Sequence, residues 1–241
     1  MESRQHRHGD GWRAVVALHL SEAQEAGSLK SVLLLGATGL VGQACVELLL
    51  REAECRRVVA LARRPLPNVD PARLQCVVVD FDHLDRAADQ FAVEAIICAL
   101  GTTMRQAGSR ERFRRVDFDY PLEAARLGRA SGVVHYLLVS ALGANSRSRV
   151  FYNRVKGELE EALTVQGFPS LTIVRPSLLL GARREFRLGE KIAKRLAFLA
   201  PARIRPVSAR AVAAALVASA MHPAPGRTVL ESSQIRARYE G

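Results

Sequence analysis

The sequence predicts a doubly wound α/β fold, in which helices pack on both faces of a parallel β-sheet and a small helical lobe follows near the C-terminus. Three observations carry this prediction. Short apolar runs alternate with helical stretches from residue 31 onward, a glycine-rich turn joins the first run to the first helix, and the rhythm changes after residue 176. Continuous apolar runs mark strands buried on both faces, and strands alternating with helices form parallel sheets.

The elements follow one another in a regular order. The strand SVLLL leads into the helix LVGQACVELLLREA, and RRVVALA and LQCVVVD give the second and third strands. EAIICAL is the fourth strand and precedes a long helix, RERFRRVDFDYPLEAARLGRASG. VVHYLLVS precedes the helix that contains YNRVKGELEEALTVQG, and SLTIVRP ends the series.

The C-terminal part has a different pattern. EFRLGEKIAKRLAFLAP predicts a basic amphipathic helix, VSARAVAAALVASAMH a second, apolar helix, and RTVLESS a last short strand. The first of these helices has its apolar residues on one side: Leu188, Ile192, Leu196 and Leu199. We expect one domain over residues 29–241, with residues 177–207 as a substrate lid, although a membrane-surface helix would have a similar pattern.

Residues 1–28 are expected to form an N-terminal extension. Polar stretches flank the run AVVALHL, which is short and interrupted by His19. A flexible extension, or a start codon placed too early, is therefore favoured over a signal peptide. No apolar run in the sequence reaches the ~18–20 residues needed to span a bilayer.

Charge and cysteine content narrow the classes of function. The net charge is +11, but the basic residues are spread along the chain without an aromatic-plus-basic module, so we expect no nucleic-acid partner. The cysteines are scattered, which favours free thiols in a reducing compartment, the cytoplasm, over disulfides or a metal site. They are Cys45, Cys55, Cys76 and Cys98.

The turn LLLGATGLVGQA, between the first strand and the first helix, predicts a dinucleotide site. Such a turn needs a residue free to adopt φ > 0, a backbone that approaches a pyrophosphate without a Cβ in the way, and close packing of helix on sheet. The N-terminus of the helix also attracts phosphate. The predicted cofactor-binding residues here are Gly36, Ala37, Thr38, Gly39, Leu40, Val41 and Gly42.

The end of the second strand indicates which dinucleotide binds. VVALARRPLP places Arg63 and Arg64 where NAD-binding folds usually have an acidic residue. Guanidinium groups suit the 2′-phosphate of NADP, so NADP is preferred to NAD. The alternative is that both are solvated arginines in an arginine-rich chain.

Two more strand ends are expected to contact the cofactor. VVVDFDHL places Asp80, followed by Phe81, where a carboxylate can meet the adenine amino group, although Asp80 could also cap the next turn. CALGTT ends the fourth strand with residues small enough for a ribose to pass. The predicted contacts there are Leu100, Gly101 and Thr102.

The stretch FYNRVKGE carries the predicted chemistry. Tyr152 and Lys156 are four residues apart on a helix and share one face, and lysines are only four of the chain's 35 basic residues. A compact ammonium can reach both ribose hydroxyls and a phenol, and it lowers the pKa of a nearby tyrosine. A shift of two units corresponds to about 2.7 kcal/mol, which makes Tyr152 a usable general acid–base residue.

Ser140 is the candidate third member of this group. It ends the fifth strand in LLVSALGAN, twelve residues before Tyr152. From there its hydroxyl could hydrogen-bond a substrate carbonyl. The alternative is that it satisfies backbone groups at the strand end.

Together, GATGLVG, Arg63-Arg64, VVDFDHL, CALGTT, Ser140, the Tyr152/Lys156 pair and RPSLLLG resemble the short-chain dehydrogenase/reductase superfamily. CALGTTMRQAGS, VDFDY, YNRVKGE and VRPSLLL are similar to its atypical branch, which contains the Tat-interacting-protein-type oxidoreductases. The resemblance covers residues 31–232.

The resemblance implies a Rossmann-type fold and a role for each matching residue. Tyr152 would be the acid–base residue, Lys156 its partner and ribose anchor, and Ser140 the carbonyl ligand. Pro176 and Ser177 would lie near the nicotinamide. The expected function is an NADP-dependent reductase or dehydrogenase acting on a small-molecule carbonyl/alcohol pair.

One residue departs from the family pattern. Many catalytic members have an asparagine in the helix after the fourth strand, where it holds a proton-relay water, and VDFDY offers Asp117 instead. An NADP(H)-binding regulatory or redox-sensing protein without turnover, which binds a protein partner, is therefore the alternative. A homo-oligomer is the other association that we expect. A sugar-nucleotide epimerase is disfavoured because only a short segment follows Pro176.

Overall fold

The computed structural model describes residues 30–67, 72–180 and 205–240. Seven strands within these residues form one sheet, and each coincides with a strand predicted from the sequence. They are β1 (Lys30–Leu35), β2 (Cys55–Ala62), β3 (Leu74–Val78), β4 (Ala95–Cys98), β5 (His135–Val139), β6 (Ser170–Arg175) and β9 (Gly226–Glu231). Two shorter strands, β7 (Leu179–Leu180) and β8 (Val207–Ser208), pair with each other.

The strand order confirms the predicted doubly wound α/β fold. The sheet runs β3-β2-β1-β4-β5-β6-β9, and every neighbouring pair is parallel. The chain moves outward from β1 to β3 and then crosses to β4 on the other side of β1. The carboxyl ends of β1 and β4 therefore border the crevice in which open α/β sheets bind ligands.

Helices cover both faces of the sheet. They are α1 (Leu40–Leu49), α2 (Met104–Ala107), α3 (Arg110–Arg114), α4 (Tyr120–Ala130), α5 (Phe151–Val165), α6 (Ala209–Met221) and α7 (Ser232–Tyr239). Since successive strand residues point to opposite faces, Val32 and Leu34 pack with α1 and α6, whereas Leu33 and Leu35 pack with α4 and α5. The continuous apolar run of β1 is thus buried on both sides.

The sequence predicted one long helix after β4, and this prediction is wrong in one respect. A π-helical turn divides the helix into two parts. Residues 115–119 form a π-helical turn between α3 and α4, in which the backbone N–H of Tyr120 donates to the carbonyl of Arg115. Pro121 follows at the start of α4. Proline has no N–H to offer the carbonyl four residues earlier, that of Asp117, so the regular ladder breaks at this point.

The crossover from β3 to β4 was not predicted from the sequence. Phe81–Phe91 forms 3₁₀-helical turns, with non-helical backbone at His83 and Ala87. The Asp80 side chain caps its start by accepting a hydrogen bond from the Asp82 N–H. This short, polar segment lacks the sustained apolar period of an α-helix.

Two predicted segments fall outside the described residues: the extension of residues 1–28, and the basic helix with Leu188, Ile192, Leu196 and Leu199. Of the predicted lid, residues 177–180 and 205–207 are described, and the Val207 N–H donates to the carbonyl of Leu178. In the part of the chain that the structure describes, no helix is long and apolar enough to cross a membrane.

His135 is buried at the start of β5. Its Nε2 lies 2.9 Å from the Thr172 hydroxyl, and among the described residues no hydrogen bond reaches Nδ1. Burial, assisted by the charge of Lys30, lowers the pKa of His135 from 6.5 to about 3. Below pH 6.5 the unfolded chain therefore binds a proton that the folded protein does not, and the free energy of unfolding falls.

We expect His135→Gln to weaken this pH dependence. The wild type should lose up to about 1.4 kcal/mol of unfolding free energy per pH unit through this histidine as the pH falls from about 6 to 4. Urea unfolding at several pH values measures the difference between the two proteins. His222→Gln, at an exposed histidine, should retain the wild-type slope. Parallel curves for the wild type and His135→Gln would contradict the assignment.

Candidate functional site

Close backbone contacts around the turn after β1 leave no room for a side chain at Gly36 or Gly42. Gly36 has a φ of +86°, and a Cβ there would lie 2.5 Å from the carbonyl oxygen of Ala99, just after β4. At Gly42, in the first turn of α1, a Cβ would lie 2.1 Å from the carbonyl oxygen of Gly36. These contacts hold α1 against the ends of β1 and β4, which is the packing that a pyrophosphate-binding turn needs.

The N-terminus of α1 is suited to an anion. Gly39 precedes the helix without a side-chain cap, and the first turn contains no acidic residue. The first N–H groups of a helix have no intrahelical partner, so a phosphate could accept from them. Of the other predicted residues in this turn, Thr38 is exposed, Leu40 half-buried, and Ala37 and Val41 buried.

Arg63 and Arg64 lie where the sequence predicted them, immediately after β2. Both are exposed, and among the described residues neither guanidinium group makes a salt bridge or a side-chain hydrogen bond. Their charges are thus free to meet an anion at the edge of the crevice.

Asp80 has the capping role that the sequence left open for it. Its carboxylate accepts from the Asp82 N–H at 3.0 Å and lies 2.8 Å from His83 Nδ1. Phe81 is buried, with its ring centroid 5.5 Å from that of Tyr120. Because Asp80 remains exposed, the adenine contact stays a prediction.

The end of β4 meets the π-helical turn and α5. The Thr102 N–H donates to Asp117 Oδ2 at 2.8 Å. A Cβ at Gly101 would lie 3.5 Å from Asp117 Oδ1 and 3.9 Å from Lys156 Nζ. Gly101, one of the residues predicted to let the cofactor pass, therefore adjoins the predicted catalytic lysine, while Leu100 packs against the sheet core.

Lys156 forms a buried ion pair with Asp117. The Nζ–Oδ1 distance is 2.7 Å, and the side chains are only 4% and 1% exposed. Burial lowers the pKa of Lys156, but the negative charge of Asp117 and then the interaction with Tyr152 outweigh it, so the net pKa is above the usual value. The sequence singled out both residues but did not predict that they pair.

Tyr152 lies one helical turn before Lys156 on α5. Its ring centroid is 5.5 Å from that of Phe113, within a small apolar cluster that also contains Phe151 and Val155. The phenol is half-buried and interacts electrostatically with Lys156. The structure thus brings the two predicted residues together.

Ser140 is engaged elsewhere. Its hydroxyl donates to Glu160 Oε1 at 2.5 Å, and the same carboxylate accepts from the guanidinium groups of Arg175 and Arg227. Glu160 lies one turn beyond Lys156 on α5 and is 2% exposed. Sequence reasoning missed this network, although the four-residue spacing of Tyr152, Lys156 and Glu160 was a signal for it.

Pro176 and Ser177, expected near the nicotinamide, follow β6 directly. The Pro176 carbonyl accepts from the Leu142 N–H at 2.8 Å. The Ser177 hydroxyl donates to the Arg205 carbonyl at 2.6 Å and accepts from the Ser232 hydroxyl at 2.8 Å. Ser177 therefore joins the two described ends of the predicted lid to each other and to the start of α7, and the nicotinamide contact of both residues stays a prediction.

These features fit a dinucleotide. Gly36 and Gly42 allow close backbone packing between the turn after β1, α1 and the end of β4, the uncapped N-terminus of α1 suits the pyrophosphate, and the ammonium of Lys156 lies beside Gly101 after β4. Within the described ranges, no group of histidine, cysteine, aspartate and glutamate side chains could hold a metal ion.

Comparison with known proteins agrees with this arrangement. Residues 36–223 match the NAD(P)H-binding family. Protein HTATIP2 of Rattus norvegicus is 38% identical over 169 residues, which is 69% of each chain. The mitochondrial protein fmp52 of Emericella nidulans is 34% identical over 172 residues, 69% of this chain and 74% of its own.

Solved structures are similar in fold. MoeE5 in complex with UDP-glucose and NAD superposes with a TM-score of 0.65 at 16% identity, covering 86% of this chain and 80% of its own. A short-chain dehydrogenase/reductase superfamily protein of Agrobacterium tumefaciens with bound NAD gives a TM-score of 0.66 at 17% identity, with coverages of 83% and 77%. The chain therefore belongs to the NAD(P)H-binding family, as a relative of HTATIP2 and FMP52 with the Rossmann-type fold of the short-chain dehydrogenase/reductase superfamily, as its motifs indicated.

Proposed function

We propose that this protein is an NADP-dependent oxidoreductase that interconverts a carbonyl and an alcohol on a small molecule. The observation that carries the proposal is the position of Lys156. Its ammonium is buried beside Gly101 at the end of β4, and one helical turn away it interacts with Tyr152. Lysine is seldom fully buried, and this one, although paired with Asp117, lies beside Gly101 and interacts with the Tyr152 phenol, which supports a role in the chemistry.

Tyr152 would exchange the proton. A bound nicotinamide supplies or accepts the hydride. In reduction, Tyr152 donates its phenolic proton to the carbonyl oxygen, and in oxidation it takes that proton back. Lys156 stabilises the phenolate and presents its remaining N–H groups to ribose hydroxyls. Ser140 is the proposed carbonyl ligand, a role in which its hydroxyl turns from Glu160 toward the substrate.

The preference for NADP rests on Arg63 and Arg64. Two exposed guanidinium groups that no described acid neutralises favour a 2′-phosphate over a bare ribose hydroxyl. We expect the wild type to bind NADPH at least about tenfold more tightly than NADH, which corresponds to about 1.4 kcal/mol.

Cofactor titration tests this preference. Arg63→Ala/Arg64→Ala should weaken NADPH binding and leave NADH binding nearly unchanged. Arg56→Ala/Arg57→Ala, a matched pair of exposed arginines at the start of β2, should keep the wild-type preference. Equal affinity of the wild type for both cofactors would contradict the proposal.

The second candidate is a regulatory protein that binds NADP(H) without turnover. The observation in its favour is the Asp117–Lys156 pair, because a lysine neutralised by a carboxylate stabilises a phenolate less. The relevant partner would then be a protein or a second copy of the chain. The cytoplasm remains the proposed compartment, although fungal relatives are named mitochondrial.

One experiment separates the two candidates. NADPH consumption is followed with a panel of aldehydes and ketones, and NADP⁺ reduction with the matching alcohols, while NADPH binding is measured by its fluorescence. Turnover of one carbonyl/alcohol pair in both directions supports the oxidoreductase. Tight NADPH binding without turnover across the panel would overturn it in favour of the regulatory protein.

A further inference from the structure

We propose that the substrate of this site is amphipathic: a carbonyl compound that joins an apolar chain to an anionic group, either a carboxylate or a phosphate. This inference rests on the proposed function and deepens it, since it names the class of substrate. Exposed apolar side chains and arginines without a counter-charge, both close to Tyr152 along the chain or in space, carry it.

Exposed apolar side chains concentrate at the carboxyl edge of the sheet. Five large hydrophobic side chains are exposed within the described ranges: Val78, Met104, Val150, Val165 and Leu178. Three of them, Met104, Val150 and Leu178, lie in the segments that follow β4, β5 and β6, which are neighbouring parallel strands. The ends of such strands border the ligand crevice, so these side chains favour a ligand with an apolar part.

The loop between β5 and α5 is held in a fixed position. A Cβ at Gly157 of α5 would lie 2.2 Å from the carbonyl carbon of Asn145, so glycine is needed for the loop to come this close to the helix. The Leu142 N–H donates to the carbonyl of Pro176 at 2.8 Å. The loop therefore connects α5 with the segment that carries Leu178, and the apolar side chains of both belong to one surface.

Two guanidinium groups lie next to the aromatic residues at the start of α5. Those of Arg110 and Arg154 are 5.2 Å and 5.6 Å from the Phe151 ring centroid. The Phe113 ring packs against both Phe151 and Tyr152, at centroid distances of 5.7 Å and 5.5 Å. Positive charge is thus placed one aromatic ring away from the proposed acid–base residue.

Three arginines near this cluster have no described counter-charge. Arg110, Arg147 and Arg149 are exposed, and among the described residues none of their guanidinium groups makes a salt bridge or a side-chain hydrogen bond. Arg154, by contrast, lies 3.9 Å from the carboxylate of Glu158. An anionic group of the substrate would therefore meet positive charge that no protein carboxylate offsets.

The segments that carry these side chains are free of acidic residues. Three stretches contain no aspartate or glutamate: residues 99–110, 140–157 and 176–180. The nearest acids are engaged, since Glu111 interacts with the Ser109 hydroxyl and its own N–H, and Asp117 binds Lys156. The charge of the crevice is therefore complementary to an anion and unfavourable to a cation.

Binding to the NADP⁺ complex tests the inference without any turnover. Octanoate, octyl phosphate, octanol and butanoate are each titrated by calorimetry into the protein saturated with NADP⁺. We expect octanoate or octyl phosphate to bind at least about fivefold more tightly than octanol, a factor that exposed ion pairs supply. Octanoate should bind at least about tenfold more tightly than butanoate, because more methylene groups leave water.

The arginines are tested by a matched pair of double variants. Arg110→Gln/Arg149→Gln should weaken octanoate binding by at least about threefold and leave octanol binding unchanged. Arg56→Gln/Arg57→Gln, two exposed arginines at the amino end of β2, should bind both as the wild type does. Unchanged NADPH binding in each variant shows that it is folded.

The apolar surface is tested in the same way. Met104→Ser/Leu178→Ser should weaken octanoate and octanol alike, by at least about fivefold, because both lose apolar contact. Val165→Ser, an equally exposed apolar residue at the end of α5, should change neither. Equal affinity of the wild type for octanoate, octyl phosphate and octanol, or equal losses in the variants and their controls, would overturn the inference.

Turnover separates this inference from the proposed function. An ω-oxo fatty acid should be reduced with a higher kcat/KM than the fatty aldehyde of the same length, and octanoate should inhibit competitively. If the amphipathic anions bind as expected but no carbonyl is reduced, the ligand class stands and the oxidoreductase activity fails. If neutral carbonyls are reduced and neither anion binds, the activity stands and the amphipathic substrate is wrong.

Discussion

Tyr152→Phe should lower turnover by at least about 100-fold while changing the dissociation constant of NADPH by no more than about twofold. General acid–base residues contribute factors of this size, and phenylalanine lacks only the hydroxyl that moves the proton. The aromatic ring is retained, so the packing against Phe113 that positions it on α5 should persist. Steady-state kinetics and NADPH fluorescence titration measure the two quantities separately.

A tyrosine elsewhere provides the matched control. Tyr239→Phe, on α7, should retain both turnover and NADPH binding. Turnover that survives in Tyr152→Phe would show that another group supplies the proton and that the Tyr152/Lys156 pair is structural. Loss of NADPH binding in the same variant would place the hydroxyl in cofactor binding instead.

Gly36→Ala should destabilise the fold by about 2–4 kcal/mol and abolish dinucleotide binding. The substitution combines a strained positive φ with a Cβ only 2.5 Å from the Ala99 carbonyl oxygen, and backbone cannot move away as a flexible side chain can. To relieve the contact, the ends of β1 and β4 would separate at the pyrophosphate turn. Urea unfolding and NADPH titration measure the two effects.

Gly167→Ala separates the effect of the positive φ from the effect of the close contact between a Cβ and the backbone. Gly167 also has a positive φ, +67°, but a Cβ there would meet no atom within 4 Å. This variant should lose only about 1–2 kcal/mol, the cost of placing alanine in the left-handed region, and should bind NADPH normally. Equal losses in the two variants would mean that backbone conformation alone, without the close approach to Ala99, accounts for the effect.

The fold and the cofactor turn were predictable because their signals are local. The apolar runs of β1 to β6 and the spacing of Gly36, Gly39 and Gly42 each lie within a short stretch of sequence. The pairing of Tyr152 with Lys156 was predictable for the same reason, because residues four apart lie on the same face of a helix. These features depend on neighbours along the chain and need no knowledge of tertiary contacts.

The partners of these residues were not predictable in the same way. The Asp117–Lys156 pair depends on a π-helical turn, whose cause, Pro121, is visible in the sequence but whose geometry is not. The Ser140–Glu160 hydrogen bond joins residues on different elements. Nothing in LLVSALGAN indicates whether the serine faces a substrate or a buried carboxylate.

The ion pairs of Glu160 affect the order in which parts of the chain can fold. It binds Arg175 of β6 and Arg227 of β9, which follow it by 15 and 67 residues, and Arg175 in turn binds Glu231. A ribosome releases the helix that carries Tyr152 long before it releases β9. Until that strand joins the edge of the sheet, two residues of this charge network, Arg227 and Glu231, are missing, so the helix is fully anchored only after β9 has been synthesised and has paired with β6.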